Sequence, residues 1–197
     1  MKISPVLCIF VLCLPSMQVI AESRITADTP ALNFTGKSAS SVALRSLQRR
    51  AAEGDTTAQY EMGTRYLKGN GVKQDNAAAF AWFRRAADND NADAQFMLAG
   101  MYDEGLAVAQ DFQTAAEWNL KAAQQGHAGA LYNLGMLHTM GDGVARDLIQ
   151  AHMWFNLAAA KGNAAGVEGR KRCEVKMSQW QLGEAQALAR EWQAKFK

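Results

Sequence analysis

Three consecutive segments of this chain, 58–93, 94–129 and 130–165, repeat one residue pattern with a constant period of 36 residues. The register is carried by columns that hold Ala58/Ala94/Ala130, Met62/Leu98/Leu134, Gly63/Ala99/Gly135, Gly69/Gly105/Gly141, Val72/Val108/Val144, Asp75/Asp111/Asp147, Trp82/Trp118/Trp154 and Ala86/Ala122/Ala158. Periods of roughly 20 to 50 residues are typical of solenoids, in which a unit buries its apolar face only by stacking on its neighbour. A chain of this kind offers an extended surface rather than a single reaction centre.

Each unit is predicted to form two antiparallel helices, which we call helix A and helix B. In the first unit the apolar spacing predicts helix A over Thr56–Lys68. Gly69 follows, and a glycine at that point can adopt the left-handed conformation that ends a helix. Asp75 then precedes helix B, where its carboxylate can accept hydrogen bonds from free helix amides. Helix B is predicted to run to about Ala87.

Two loop positions depart from the repeat pattern. Ala107 stands where the other units have Gly71 and Gly143. Because a left-handed alanine costs roughly 1 kcal/mol, we expect this loop to bend differently. Asp90 also replaces a glycine, and its short polar side chain tolerates a left-handed turn.

The expected fold class is all-α: a solenoid of three full 36-residue hairpins, an N-terminal half repeat over 40–55 and a C-terminal cap over 166–197. The repeat domain is therefore predicted to span 40–197. Within it, the Trp of each helix B is expected to fill the space between hairpins, opposite small residues. Ser178 and Gln181 form a capping box for the last helix. Its apolar stripe holds Leu182, Ala185, Leu188, Ala189, Trp192 and Phe196.

The first 21 residues are similar to a secretory signal peptide. Lys2 supplies a positive start, 6–14 is an apolar run, and Val19 and Ala21 occupy the −3 and −1 positions of a cleavage site. An uncleaved anchor is the lesser alternative, because the run is shorter than the ~20 residues that a spanning helix needs. Residues 22–39 are predicted to form a flexible leader.

Cleavage would leave Cys173 as the single cysteine of the mature chain. Its neighbours Lys171, Arg172 and Lys176 are most simply a solvated helix face. We interpret the thiol as inert, with pairing to a second chain or a nucleophilic role as alternatives.

Composition argues against nucleic acid as a partner. The chain has 21 basic and 19 acidic side chains and no basic stripe. Binding to a phosphate backbone depends on such a stripe.

The sequence predicts no catalytic residues, cofactor or metal site, because none of the usual hydrolase, metalloprotease or redox motifs occurs. His138 and His152 could face each other across the third hairpin. The same two columns hold Tyr66 with Phe80 in the first unit, which favours a packing contact over a metal site. His127 falls in an inter-repeat turn and is predicted to be exposed.

The pattern Ala-x-x-x-Met-Gly-x-x-Tyr-x-x-Gly-x-Gly-Val-x-x-Asp over 58–75, followed by Ala79, Trp82, Ala86 and Ala87, resembles the Sel-one-like repeat, a relative of the tetratricopeptide repeat. The resemblance covers about 40–197. It implies a right-handed α/α superhelix whose concave face binds other proteins, often as an adaptor at bacterial envelopes or in host interaction. The last helix, 184–192, is similar to the terminal helix of bacterial members and favours a bacterial source.

One feature points to a partner surface. Positions on helix A outside the repeat pattern become more apolar along the chain, and we predict that four methionines line a partner-binding groove: Met97, Met101, Met136 and Met140. Methionine is flexible and polarizable, which suits adaptable binding surfaces. The alternative is that some of these side chains fill the seams between hairpins or lie under the last helix.

Two functions therefore stay open. The first is a non-catalytic adaptor, periplasmic or secreted, that binds a protein or peptide on its concave helix A surface. The alternative, taken from cysteine-rich relatives in the resembling family, is a hydrolase acting on β-lactam or cell-wall substrates. This chain lacks the paired cysteines of those relatives.

Overall fold

The computed structural model describes residues 36–196, with side chains from residue 41 onward. Over this range the chain is helical and contains no strand. The helices are α1 Gly36–Ala52, α2 Thr56–Lys68, α3 Asn76–Asp88, α4 Ala92–Glu104, α5 Phe112–Gln124, α6 Ala128–Met140, α7 Leu148–Ala160, α8 Ala164–Glu174 and α9 Gln179–Lys195. The predicted signal peptide over 1–21 and most of the predicted leader over 22–39 lie outside the described residues.

Successive helices pack against one another from α1 to α8, which gives the predicted helical solenoid. Helices α2, α4, α6 and α8 form the helix A row, and α6 also contacts α8 directly. The first helix begins at Gly36, a few residues before the Ser40 at which we placed the half repeat. The last helix, α9, packs mainly on α7, so the chain turns back instead of pairing α9 with α8.

The residues that cap the helix ends recur with the same 36-residue period as the helices. Each helix A has a capping side chain one period after the last: Asp55, Asn91, His127 and Asn163. Each helix B is capped by Asp75, Asp111 or Asp147, whose carboxylates accept backbone N–H bonds. Gly69, Gly105 and Gly141 end α2, α4 and α6 in the left-handed conformation. The predicted caps at Gly69, Asp75 and Ser178 are thereby confirmed.

The prediction for Ala107 was wrong. Its φ is +67°, so it keeps the left-handed bend that Gly71 and Gly143 adopt in the other units. Both ends of this loop are held, because the N–H of Asp111 donates to the carbonyl of Tyr102 at 2.9 Å and the Gln110 amide donates to the carbonyl of Asp103 at 2.7 Å. These bonds fix the turn and offset the cost of a left-handed alanine. Asp90 adopts φ +59°, as expected.

The tryptophan column forms the wedges between hairpins. Trp118 lies against α3 and α4, and Trp154 against α5 and α6, with only 6% and 5% of their surface exposed. Trp82 takes the same place against α1 and α2 but is half-buried, since only the half repeat precedes it. Two of these tryptophan rings also make cation–π contacts. The Lys121 Nζ lies 3.9 Å from the ring centroid of Trp118, and the Arg85 guanidinium carbon lies 4.9 Å from that of Trp82. The three tryptophans therefore occupy equivalent positions.

A second contact joins the two helices within a hairpin. The ring of Phe83 lies directly on Gly63, where an added Cβ would come within 2.7 Å of it. Phe155 lies on Gly135 in the same way, at 2.6 Å. In the middle unit the same columns hold Asn119, which is smaller than Phe, and Ala99, which is larger than Gly. The two columns thus vary together, because the interhelix space has a nearly constant volume.

His127 is more buried than we predicted. Its Nδ1 accepts the N–H of Ala130 at 3.1 Å and so caps α6, and its ring stacks on Phe96 with centroids 4.4 Å apart. Its Nε2 lies 3.4 Å from a carboxylate oxygen of Asp93. The expectation of exposure was wrong because the inter-repeat turn folds back onto the seam, where burial lowers the pKa of His127 despite the opposing effect of Asp93.

Replacing Trp118 with Ala should lower the free energy of unfolding by roughly 3 to 5 kcal/mol, because it empties the wedge between two hairpins. Trp180→Ala is the matched control, since Trp180 is 72% exposed and fills no seam. Thermal or chemical denaturation checks both. Melting of Trp118→Ala within a few degrees of wild type would contradict its place in the core.

Acid should weaken the fold through His127. Burial lowers the pKa of His127 in the folded state, against the opposing effect of Asp93. In addition, the neutral ring accepts the capping hydrogen bond and the protonated ring cannot. Because the histidine pKa is lowered in the folded state, the contribution of neutral His127 to the free energy of unfolding is fully present above about pH 6.5. It is lost as the pH falls below that value. The loss is bounded by one N-cap, typically about 1 kcal/mol.

The chain supplies a control, because Asn91 and Asn163 cap α4 and α8 at the same column. His127→Asn keeps the cap but removes the ring that stacks on Phe96, so it should be less stable than wild type at pH 7.5 and yet lose less stability between pH 7.5 and pH 5.5. Denaturant unfolding at the two pH values measures this. The remaining loss belongs to other groups such as His152, whose pKa is also lowered by burial. Equal losses in both proteins would rule out the cap as the acid-sensitive element.

Candidate functional site

An open cleft lies in the helix A row, between α6 and α8, with α7 as its floor. Its volume is about 470 Å³, within the range of small ligand sites. The lining comes from three helices and the segment after α8: Tyr132, Met136, Thr139, Leu148, Phe155, Ala165, Glu168, Gly169, Arg172, Cys173 and Lys176. The cleft therefore lies on the side of the solenoid where we expected a partner.

The floor of the cleft depends on two glycines. Phe155 of α7 lies between Gly135 of α6 and Gly169 of α8, and a Cβ added at either glycine would come within 2.6 Å of its ring. A side chain at these positions would push the helices away from α7. Tyr132 packs beside Phe155, with ring centroids 5.6 Å apart. The aromatic floor is thus set by close helix packing rather than by a loop.

The two walls of the cleft differ in chemistry. Counting one 36-residue period from α6 to α8 pairs Tyr132 with Glu168, Met136 with Arg172, and Met140 with Lys176. The α6 wall is therefore apolar where the α8 wall is charged. Arg172 and Lys176 were predicted to belong to a solvated helix face and not to a site, because the columns were compared only over the three full units. The register itself was the signal that could have found them.

The charges on α8 are unevenly paired. Lys171 contacts Glu168 at 3.1 Å, and Arg170 contacts Glu174 at 3.3 Å. Among residues 41–196, Arg172 and Lys176 make no described ion pair, and both are exposed. Two cations thus border the cleft without a counter-charge.

Cys173 also lines the cleft but is only 3% exposed. It packs with Ala151 and Phe155, and burial raises the pKa of its thiol. A thiol with a raised pKa carries little thiolate near neutral pH, so Cys173 is a poor nucleophile.

The four predicted methionines fall into different environments. Met136 lines the cleft, Met97 is half-buried against the core of α3 and α4, and Met140 is 54% exposed at the end of α6. Met101 is only 2% exposed and belongs to the α3, α4 and α5 core. A groove-lining role therefore does not fit Met101, because the adjacent hairpin covers that face of α4.

The two histidines of the third hairpin have separate partners. Nδ1 of His138 lies 3.1 Å from the carbonyl oxygen of Ala145 in the following loop. His152 is buried on α7, and its Nε2 lies 3.4 Å from the Glu174 carboxylate of α8. Across residues 36–196, no group of three or more His, Cys, Asp or Glu side chains is arranged to hold a metal ion. Over the same range, no helix has the length and apolar content to cross a membrane.

Comparison with protein families matches the Sel1 repeat to residues 56–91, 92–127 and 128–163, more than half of the chain. These are the three predicted units with the frame moved by two residues. Comparison with curated protein sequences found no match.

Solved structures agree with this assignment. The protein c5321, described as a protective antigen present in uropathogenic Escherichia coli strains displaying an SLR fold, is 35% identical with a TM-score of 0.73. That match covers 78% of this chain but only 33% of c5321, so this chain spans about a third of that protein's length.

Two shorter relatives match over nearly their full length. A Sel1 repeat protein from Oxalobacter formigenes is 36% identical with a TM-score of 0.62, covering 66% of this chain and 98% of that protein. Cysteine rich protein B of Helicobacter pylori, at 20% identity and a TM-score of 0.52, covers 68% of this chain and 97% of that protein and shows the fold alone. With three consecutive matched repeats and the helical solenoid described above, the chain belongs to the Sel1 repeat family.

Proposed function

We propose that this protein is a non-catalytic adaptor that binds a partner protein or peptide on its helix A surface. Sel1 repeats generally act as scaffolds for protein interaction. The observation that carries the proposal is the cleft between α6 and α8, which combines an aromatic floor with exposed, unpaired cations. A preformed apolar concavity with a few polar groups is the usual form of a binding site.

The hydrolase alternative finds no observation in its favour among the described residues. The described thiol, Cys173, is buried with a raised pKa. His152, a candidate base on α7, is only 1% exposed and its Nε2 lies beside the Glu174 carboxylate. Hydrolysis of a chromogenic β-lactam by the purified protein at enzyme-like rates would nevertheless contradict the non-catalytic proposal.

We further propose that the adaptor is exported in a bacterium, to the periplasm or beyond the cell. The support is the signal-peptide pattern over 1–21 and the likeness to an Escherichia coli protein described as a protective antigen. In this arrangement the leader that we predicted over 22–39 precedes the repeat domain, which extends with its cap to residue 197, but residues 36–39 of that leader belong to α1.

Met136→Glu should abolish capture of the native partner by the purified repeat domain, because it places a charge on the apolar wall of the cleft. Met140→Glu should weaken capture if the partner extends past the end of α6. Affinity capture from the envelope fraction of the source bacterium, followed by mass spectrometry, measures both effects. Both variants should melt close to wild type, since Met136 is partly exposed and Met140 largely so.

Met101→Glu is the control for folding. It buries a charge in the core between two hairpins and should lower the melting temperature sharply. Capture that survives Met136→Glu and Met140→Glu in folded protein would contradict binding on this part of the helix A row.

Export has its own test. The full chain, expressed in a Gram-negative host, should appear outside the cytoplasm with an N-terminus at Glu22. Replacing Leu12 with Arg breaks the apolar run and should leave the precursor uncleaved in the cytoplasm. N-terminal sequencing of fractionated protein checks the cleavage site. Uncleaved wild-type protein that stays in the cytoplasm would contradict export.

A further inference from the structure

We propose that the cleft between α6 and α8 recognises an acidic peptide segment, with an apolar side chain on the aromatic floor and neighbouring carboxylates on Arg172 and Lys176. This inference rests on the proposed adaptor function and names the chemistry of its partner. The argument has three parts: the apolar compartment, the unpaired cations and the position of the acidic residue in the wall.

The apolar compartment is sized for one large side chain and its adjacent main chain. The whole cleft has a volume of about 470 Å³, and its apolar part is lined by Tyr132, Met136, Leu148 and Phe155. Aromatic rings and a methionine accept aromatic or branched aliphatic groups without demanding one shape. The compartment therefore supplies an anchor, and specificity has to come from the polar groups beside it.

The cations supply that specificity. Arg172 lies in the last turn of α8 and Lys176 in the turn just after it, four residues later, and both line the cleft. Glu168 lies four residues before Arg172 on the same wall but pairs with Lys171, so an incoming carboxylate does not have to break a described ion pair of Arg172 or Lys176. Charge-assisted hydrogen bonds to Arg and Lys are stronger than neutral ones, and Arg can bind a carboxylate through two parallel bonds. An acidic segment thus matches this wall, and a basic segment does not.

Glu168 sets the direction of binding. It lies toward the start of α8, two helical turns before Lys176, and is paired with Lys171. Because Glu168 already pairs with Lys171, that end of the wall offers no unpaired cation to a carboxylate. Acidic residues of the partner should therefore lie toward the C-terminal end of α8, with the apolar anchor beside Phe155.

Three acetylated and amidated hexapeptides test the chemistry: EELFEE, KKLFKK and EEAAEE. Isothermal titration calorimetry should show binding of EELFEE and at least roughly tenfold weaker binding of the other two. Raising NaCl from 50 to 500 mM should weaken the EELFEE complex, because exposed charge pairs are screened. KKLFKK binding as tightly as EELFEE, or the absence of EELFEE binding at millimolar concentration, would overturn the proposal.

The repeat provides a matched pair of variants. Lys176 and Lys68 occupy the same column, both are exposed, and both lie at the end of a helix A. Lys176→Glu should weaken EELFEE binding by about fivefold or more, and the double change Arg172→Glu with Lys176→Glu by roughly tenfold or more. Lys68→Glu changes the net charge, and the charge near a helix end, by the same amount as Lys176→Glu. It should nevertheless leave EELFEE binding unchanged. Equal weakening by Lys176→Glu and Lys68→Glu would reduce the effect to net charge and refute the site.

These outcomes separate the present inference from the proposed function. Met136→Glu that abolishes partner capture while no peptide binds would show that the cleft is used but that its partner is not an acidic segment. Peptide binding that is lost in the double variant, together with loss of partner capture in the same variant, would establish both. Partner capture that is unchanged by Met136→Glu and by the double change at Arg172 and Lys176 would refute both the proposed function on this surface and the present inference.

Discussion

The structure depends on the wedge of one tryptophan between each pair of neighbouring hairpins. The faces through which neighbouring hairpins contact each other carry many small residues. A single hairpin therefore cannot bury enough apolar surface on its own. Trp118 and Trp154 fill those seams and are almost completely buried. Within each hairpin the helices approach because Phe83 lies on Gly63 and Phe155 on Gly135. Large and small residues are thus matched between hairpins and within them.

The candidate site arises where this repetition ends. Helix α8 begins as a fourth helix A, with Asn163 as its cap and Gly169 against Phe155, but Arg170 stands where the earlier units have apolar residues. No following helix B covers it, because α9 packs on α7 and places Trp192 against Trp154 at 4.6 Å. Among the described helices, α8 packs mainly on α7 and to a smaller extent on α6. The cleft and its free cations are the consequence.

Prediction from the sequence was strongest where one residue determines a local conformation. Helix A over Thr56–Lys68 and its caps followed from glycine and aspartate at fixed places. It was weakest where a neighbouring hairpin decides exposure. Met101 packs with residues of α3 in the preceding hairpin and is 2% exposed, whereas Met140, one helical turn later in the repeat register, is 54% exposed. His127 was mistaken for an exposed turn residue for the same reason.

The amino-acid sequence by itself determined the family, the hairpin length and the ends of the helices, because a 36-residue period, glycine stops and aspartate caps act over a few residues of chain. Only the tertiary structure decided which methionine is buried, that Ala107 keeps a left-handed turn, and that α9 turns back onto α7. These outcomes depend on contacts between residues far apart in the chain. Burial is a property of what packs against a side chain, and that partner is not contained in the local pattern.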